Sequence, residues 1–220
     1  MARLVKPDEY AARRGDILRA ALELMHDKGY ERTTIDDVLA KTQMSKGALY
    51  HYFRSKRAML EGIVEMMAES GTRGLQAIVA DPGLGAIDKL HAYFAASSAW
   101  KAENLTAVST TMRLWRDENN ALLRQKVSQE SMRTTTPLLE AIIRQGCEER
   151  VFDTDYPREA AVIITGMALH LTDAFIDAIE ADGAVGADIS GPHIRGVLDA
   201  YIQALERILG ASAGSLALPG

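Results

Sequence analysis

Between Thr33 and Lys56 the chain reads TTIDDVLAKTQMSKGALYHYFRSK, and no other stretch constrains its fold so tightly. The pattern predicts two short helices, about Ile35 to Lys41 and about Lys46 to Tyr52, joined by a tight turn at Thr42–Met44. Thr34 stands at an N-cap position, and Asp37 three residues on completes a capping-box-like pattern. Such a cap is worth about 1 kcal/mol, which matters in a helix of only two turns. Asp36 and Asp37 complement the positive end of the helix dipole. Ser45 repeats the capping device for the second helix. Val38, Leu39, Leu49 and Phe53 are the predicted core contacts.

Two short helices in this layout form a helix-turn-helix, which presents the start of its second helix to the major groove of DNA. On that helix Leu49 and Phe53 point to one face, a core face, and Lys46 and Tyr50 to another. Ser45 and the free amides beside it suit a phosphate. Gly47 costs about 1 kcal/mol against alanine inside a helix, and its missing side chain permits close approach to DNA or to a neighbouring helix. Tyr50 and His51 carry polar tips that reach phosphates, and Lys56 reaches the backbone from the next helix. Core packing remains open for Tyr50, and simple exposure for His51.

Charge is distributed to match. Residues 1–57 hold 12 Lys+Arg and 8 Asp+Glu, or +4, while the remainder carries −9 of the net −5. A basic first quarter on an acidic body suits docking to DNA at one end only.

The remainder also reads as helix, with no sustained period-two alternation. A first helix spans about Asp8 to Lys28 and ends at Gly29, a left-handed C-cap position. Ser55 caps a fourth helix with Met59, Leu60, Ile63, Val64, Met66 and Met67 on its apolar face. Asp81–Gly85 is a clear break. Helices follow over about 86–101, 104–116 and 119–149, the last kinked or split by Pro137. Two apolar helices, about 158–181 and 192–209, flank a Gly- and Ala-rich loop. Residues 211–220 read as a frayed tail. The fold class is therefore all-α: a three-helix head and a body of about six helices, divided into 1–54, 55–210 and 211–220.

The segment Ser45–Lys56, with Gly29–Tyr30 and Thr33–Thr34–Ile35, resembles the TetR (tetracycline-repressor-like) family of bacterial transcriptional regulators. The carrying pattern is S-x-G-x-L-Y-x-(H/Y)-F-x-S-K. Beyond the first quarter, only helix count and length match. The resemblance implies a cytoplasmic, homodimeric, ligand-responsive repressor on a palindromic DNA operator. It places Thr33, Thr34, Gln43, Met44, Ser45, Lys46, Gly47, Ala48, Tyr50, His51 and Lys56 at the DNA. Thr42–Gln43–Met44 replaces the family's common Ala-Gly-Val, and Ala48 lacks a hydroxyl often found there, so operator preference does not transfer. The resemblance also implies dimerisation through the last two helices, with Ala161, Ile164, Ala168, Leu171, Ile194, Val197, Leu198, Tyr201, Ile202 and Leu205 as candidates. A pocket for a largely apolar effector has Met66, Met67, Phe94, Trp100, Met112, Trp115, Arg116, His170 and Phe175 as candidate liners; ordinary core packing explains the same residues.

Several classes are disfavoured. The single cysteine, Cys147, excludes an intramolecular disulfide and a CxxC metal knuckle. No His pair falls at a metal-ligand spacing, so no metal or cofactor is expected. No nucleophile motif or phosphate loop suggests an enzyme. No apolar run approaches the roughly 20 residues of a membrane helix, and the N-terminus lacks the apolar core of a secretory signal. The competing reading is a helical partner-binding protein without specific DNA recognition.

Overall fold

The computed structural model describes residues 7–104, 107–108, 110–111, 121–183 and 191–217. Among them are the helices α1 (Pro7–Lys28), α2 (Ile35–Thr42), α3 (Lys46–Tyr52), α4 (Lys56–Ala80), α5 (Ala86–Glu103), α6 (Ala121–Thr134), α7 (Thr136–Glu148), α8 (Pro157–Ala181) and α9 (Pro192–Leu209), and no strand. The fold is all-α, with the helix-turn-helix ahead of a helical body. The chain divides into two compact units. One comprises residues 1–67 and 106–126, the other 68–105 and 127–220. Helices α4 and α6 contribute to both.

In the first unit, Ile17, Leu18, Ala21 and Met25 on α1 are buried, as are Val38, Leu49, Phe53 and the α4 residues Met59, Leu60, Ile63 and Val64. Gly29 ends α1 at φ +82°, where a side chain would be strained, and its amide donates to the Met25 carbonyl. At Gly62 on α4 a Cβ would meet Leu18 Cδ2 at 3.0 Å, Arg14 Nη2 at 3.1 Å and Phe53 Cε1 at 3.2 Å, so hydrogen there lets α1 and the end of α3 close on α4. Beside it the Arg14 guanidinium and the Lys126 ammonium both pair with Glu65, at 2.9 and 2.8 Å. Those two cations hold the Glu65 carboxyl below its ordinary pKa although burial pushes the other way.

In the second unit one apolar cluster gathers Leu75, Leu90, Tyr93, Leu139, Ile142, Ile143, Phe152, Ala160, Ala161, Ile164, Leu205 and Leu209. Pro137 splits the expected helix of 119–149 into α6 and α7 at Thr135 and sits in the first turn of α7. The α7 start is where a proline's missing amide costs least. Lys89 is buried but satisfied: its ammonium donates to the Val79 carbonyl at 2.6 Å and to Gln145 Oε1 at 2.8 Å. The Asp182 carboxylate accepts from the amides of His193 and Ile194 and from His193 Nδ1, capping α9 from the end of α8.

Two expectations change, and a third falls largely outside the described residues. The tail is not frayed through residue 217: Leu216 is buried in the cluster, and its amide donates to Glu206 Oε1 at 3.0 Å. The helix expected over 104–116 lies largely outside the described residues; Asn104 C-caps α5, and residues 107–108 and 110–111 are helical. Finally, α8 is long and apolar enough to cross a membrane by length and composition, with mean hydropathy 1.5 over its best 18-residue window.

Candidate functional site

The cap at Thr34 forms as the sequence predicts. Thr34 Oγ1 accepts from the Asp37 amide at 3.2 Å, and the Asp37 carboxylate accepts the Thr34 amide at 2.8 Å. The Lys28 ammonium from α1 lies 2.5 Å from the same carboxylate. Hydrogen bonds from Lys28 and Thr34 hold the Asp37 carboxyl down at about 2. Helix α2 is thereby fixed to the end of α1 at its first turn. A second pair, Lys41 with Glu23 at 2.6 Å, joins the two helices near the other end of α2.

The turn closes on Gln43, which adopts the left-handed conformation at φ 53°, ψ 34° and C-caps α2. Such a backbone costs a non-glycine residue about 1–2 kcal/mol. It directs the chain so that Ser45 begins α3, its hydroxyl accepting the Ala48 amide at 3.3 Å. Leu49 and Phe53 are then buried, and Lys46, Gly47, Ala48, Tyr50 and His51 are exposed. Gln43 and Ser45 are exposed beside them and Met44 is half-buried. A Cβ built on Gly47 meets nothing within 4 Å. Among the described residues no neighbouring helix requires a glycine there.

Two expected contacts lie elsewhere. Thr33 is 1% exposed. Its hydroxyl donates to the Gly29 carbonyl at 2.7 Å, closing the turn between α1 and α2. Lys56 is half-buried, its ammonium donating to the carbonyls of Tyr30 and Glu31 at 2.8 and 3.2 Å and lying 4.2 Å from the centre of the Tyr30 ring. Both residues hold the scaffold behind the exposed face. Two further residues support the exposed face: Lys28, paired with Asp37, and Tyr10, whose ring stacks on Tyr52 of α3. A lysine in the last turn of α1 opposite an acidic first turn of α2 was a legible signal for the first; nothing local marked Tyr10.

The candidate pocket residues are not brought together within one unit. Met66 and Met67 are half-buried in the first, with the Thr111 hydroxyl 3.4 Å from Met67 Sδ. Phe94, Trp100 and Phe175 are half-buried in the second. Phe94 meets Tyr93 and Tyr201 edge-on, and Trp100 donates to Ser70 Oγ at 3.1 Å. Burial raises the hydroxyl pKa of Tyr93 to about 12 and pushes Tyr201 up as well. His170 is exposed on α8, seven residues and two turns from exposed Ile163, and so lies away from the core side. Met112, Trp115 and Arg116 lie outside the described residues.

Of the candidate interface residues, Ala161, Ile164, Ile194 and Leu205 are instead core of the second unit, all at most 2% exposed. Ala168 is exposed, and Leu171, Val197, Leu198, Tyr201 and Ile202 are half-buried. Val162 and Ile163, which the sequence reading passed over, are 43% and 54% exposed. Among the described residues no group of three His, Cys, Asp or Glu is placed to hold a metal ion.

Residues 17–63 match the family described as bacterial regulatory proteins, tetR family. Among curated proteins, the transcriptional repressor KstR2 of Mycolicibacterium smegmatis is 31% identical over 91 residues, covering 41% of this chain and 44% of that one. The A-factor receptor protein of Streptomyces griseus is 41% identical over 49 residues, covering 22% and 18%. The chain spans less than half the length of these curated relatives. Solved structures extend the likeness in fold. The SmeT–triclosan complex superposes with a TM-score of 0.67 at 20% identity, covering 95% of this chain and 96% of that one. SmeT is the repressor of a multidrug efflux pump of Stenotrophomonas maltophilia. A regulator from Syntrophomonas wolfei gives 0.66 at 19% identity, covering 93% and 98%.

Proposed function

We propose, because residues 17–63 match the tetR family of bacterial regulatory proteins, that this chain is a homodimeric repressor released from a palindromic operator by a small-molecule effector. The carrying observation is the exposed face of α3. Leu49 and Phe53 anchor the helix, and Lys46, Gly47, Ala48, Tyr50 and His51 are left at the surface with the turn residues Gln43 and Met44. Gln43, Met44, Lys46 and Ala48 read base edges; Thr34, Ser45, Tyr50 and His51 meet phosphates. Thr33 and Lys56 act behind this face. In functional terms the DNA-binding domain is 1–54, the sensing and dimerisation domain 55–210, and 211–220 the tail.

One head reads one half-site. A symmetric operator needs two, with half-sites about 34 Å or a multiple apart. The second copy docks on α8, where Val162 and Ile163 leave apolar surface uncovered. The effector is largely apolar, and the half-buried Phe94, Trp100 and Phe175 of the second unit are the residues to test for it. That a protein of the same fold is solved with triclosan supports an effector of this kind. Effector and operator are linked reciprocally: each weakens the other by the same factor. A full switch from 1:99 to 99:1 needs about 5.5 kcal/mol of differential affinity. The protein works in the cytoplasm, where its DNA is.

The test is a footprint of the purified protein on the DNA upstream of its own gene, repeated over a salt series. A protected palindrome with affinity falling steeply as salt rises is expected, because bound phosphates release counterions. A protein that protects no such site sinks the reading and leaves the helical partner-binding alternative.

A further inference from the structure

The last turn of α3 is held on one side only by the core. Leu49 and Phe53 are buried, but His51 on the opposite side is exposed, and a seven-residue helix has little stability of its own. The other side is held by a ring from a distant part of the sequence. Tyr10, in the first turns of α1, stacks on Tyr52 with ring centres 4.7 Å apart and planes 23° from parallel. The His51 imidazole meets both tyrosines edge-on, 5.9 Å from Tyr10 at 87° and 5.6 Å from Tyr52 at 84°. Edge-to-face and offset-stacked arrangements at these separations are the favoured ones for aromatic pairs. The three rings thus fix both the end of α3 and the plane of the imidazole. Neither nitrogen of His51 has a hydrogen-bond partner among the described residues, so a ring N–H is available to an acceptor outside them.

We infer that Tyr10 is a positioning residue for DNA binding: stacked on Tyr52, it orients His51 of α3 toward a backbone phosphate. The inference rests on the repressor reading above and adds to it a residue of α1 outside the helix-turn-helix. Loss of the stack leaves His51 present but free to rotate, so the phosphate contact must then order the ring at its own cost. A favourable aromatic pair is worth a factor of about three to ten in an equilibrium constant. Because the phosphate carries no sequence information, the loss falls on all operators alike.

The experiment measures fluorescence anisotropy on the footprinted palindrome with wild type, Tyr10→Leu, Tyr10→Phe, His51→Ala and the Tyr10→Leu/His51→Ala double variant. Tyr10→Leu is expected to weaken binding about three- to tenfold. Tyr10→Phe, which keeps the ring, stays near wild type. In the His51→Ala background the Tyr10→Leu effect disappears, because the two residues act as one unit. A second measurement needs no DNA: the His51 ring-proton resonances of the free protein shift in Tyr10→Leu and stay in Tyr10→Phe. Equal losses in both backgrounds, a Phe variant as weak as Leu, or unmoved resonances overturn the inference. A wild-type protein that binds no such DNA removes the repressor reading and this inference together; wild-type binding unaffected by Tyr10→Leu removes the inference alone.

Discussion

Lys56 separates a scaffold from a contact, and Lys56→Met tests which it is. The ammonium donates to the Tyr30 carbonyl at 2.8 Å and the Glu31 carbonyl at 3.2 Å, and sits 4.2 Å from the centre of the Tyr30 ring. A hydrogen bond to a charged group contributes roughly 1.5–3 kcal/mol net, and an exposed cation–π contact about 0.5–1. The Glu31 bond is long and exposed, so its share is small. Methionine keeps much of the apolar stem against Tyr30, and the freed carbonyls partly rehydrate. Together these give a destabilisation of about 2 kcal/mol. With a urea m-value of about 2 kcal/mol/M, the unfolding midpoint falls by about 1 M. A phosphate contact predicts something different: an unchanged midpoint and a salt slope of log K flatter by about 0.9, the release of one counterion. The assays are urea unfolding followed by circular dichroism and operator binding over a salt series. A midpoint that stays in place with a flattened slope refutes the scaffold role.

Asp37→Asn tests the cap. The Asp37 carboxyl is held at about 2, below its ordinary value near 3.8. A depressed folded-state pKa contributes stability that is present above pH 4 and lost as pH falls toward 2. The variant should therefore lose stability at neutral pH and show a flatter decline over that window; an unchanged pH profile contradicts the linkage. Gln43→Gly relieves a left-handed residue at φ 53° and should raise stability by up to about 1 kcal/mol while altering base preference at the operator, read by thermal unfolding and a binding-site selection. Unchanged preference removes Gln43 from the reading set. Ile163→Asp puts a charge into the proposed dimer face and should raise the dimer dissociation constant about a hundredfold by sedimentation, with the monomer fold intact; an unaffected dimer places the interface elsewhere.

The head was legible where its determinants are local. Thr34 and Asp37 sit three apart in sequence and bond each other, Gly29 announces a left-handed stop, and Pro137, disruptive inside a helix but tolerated in its first turn, marks the start of α7. The same reasoning could not separate Thr33 from Thr34. Both carry a hydroxyl at the entry of α2, and only the direction of the chain after Gly29 turns one inward. Lys56 is ambiguous for a related reason. Its acceptors are main-chain carbonyls of Tyr30 and Glu31, which carry no side-chain signature and reach Lys56 only once α1 and α4 have packed. Residues that hold such a face and residues that form it share one stretch of sequence, and spacing alone does not sort them.

The body was less legible because α8 has two apolar sides. Periodicity separates faces when polar residues mark one of them. On α8, Ala160, Ala161 and Ile164 enter the core while Val162 and Ile163 stand outside it, so adjacent apolar residues part company within a single turn. Only 18% of its most apolar 18-residue window is buried within the chain. A helix apolar all round is stable in water only when both sides are covered. Among the described residues, its own chain covers one. The exposed Arg158, Glu159, Asp173 and Asp177 along the same helix are costly in a bilayer core but ordinary at the rim of a protein interface. That composition is what the proposed seam between two copies requires.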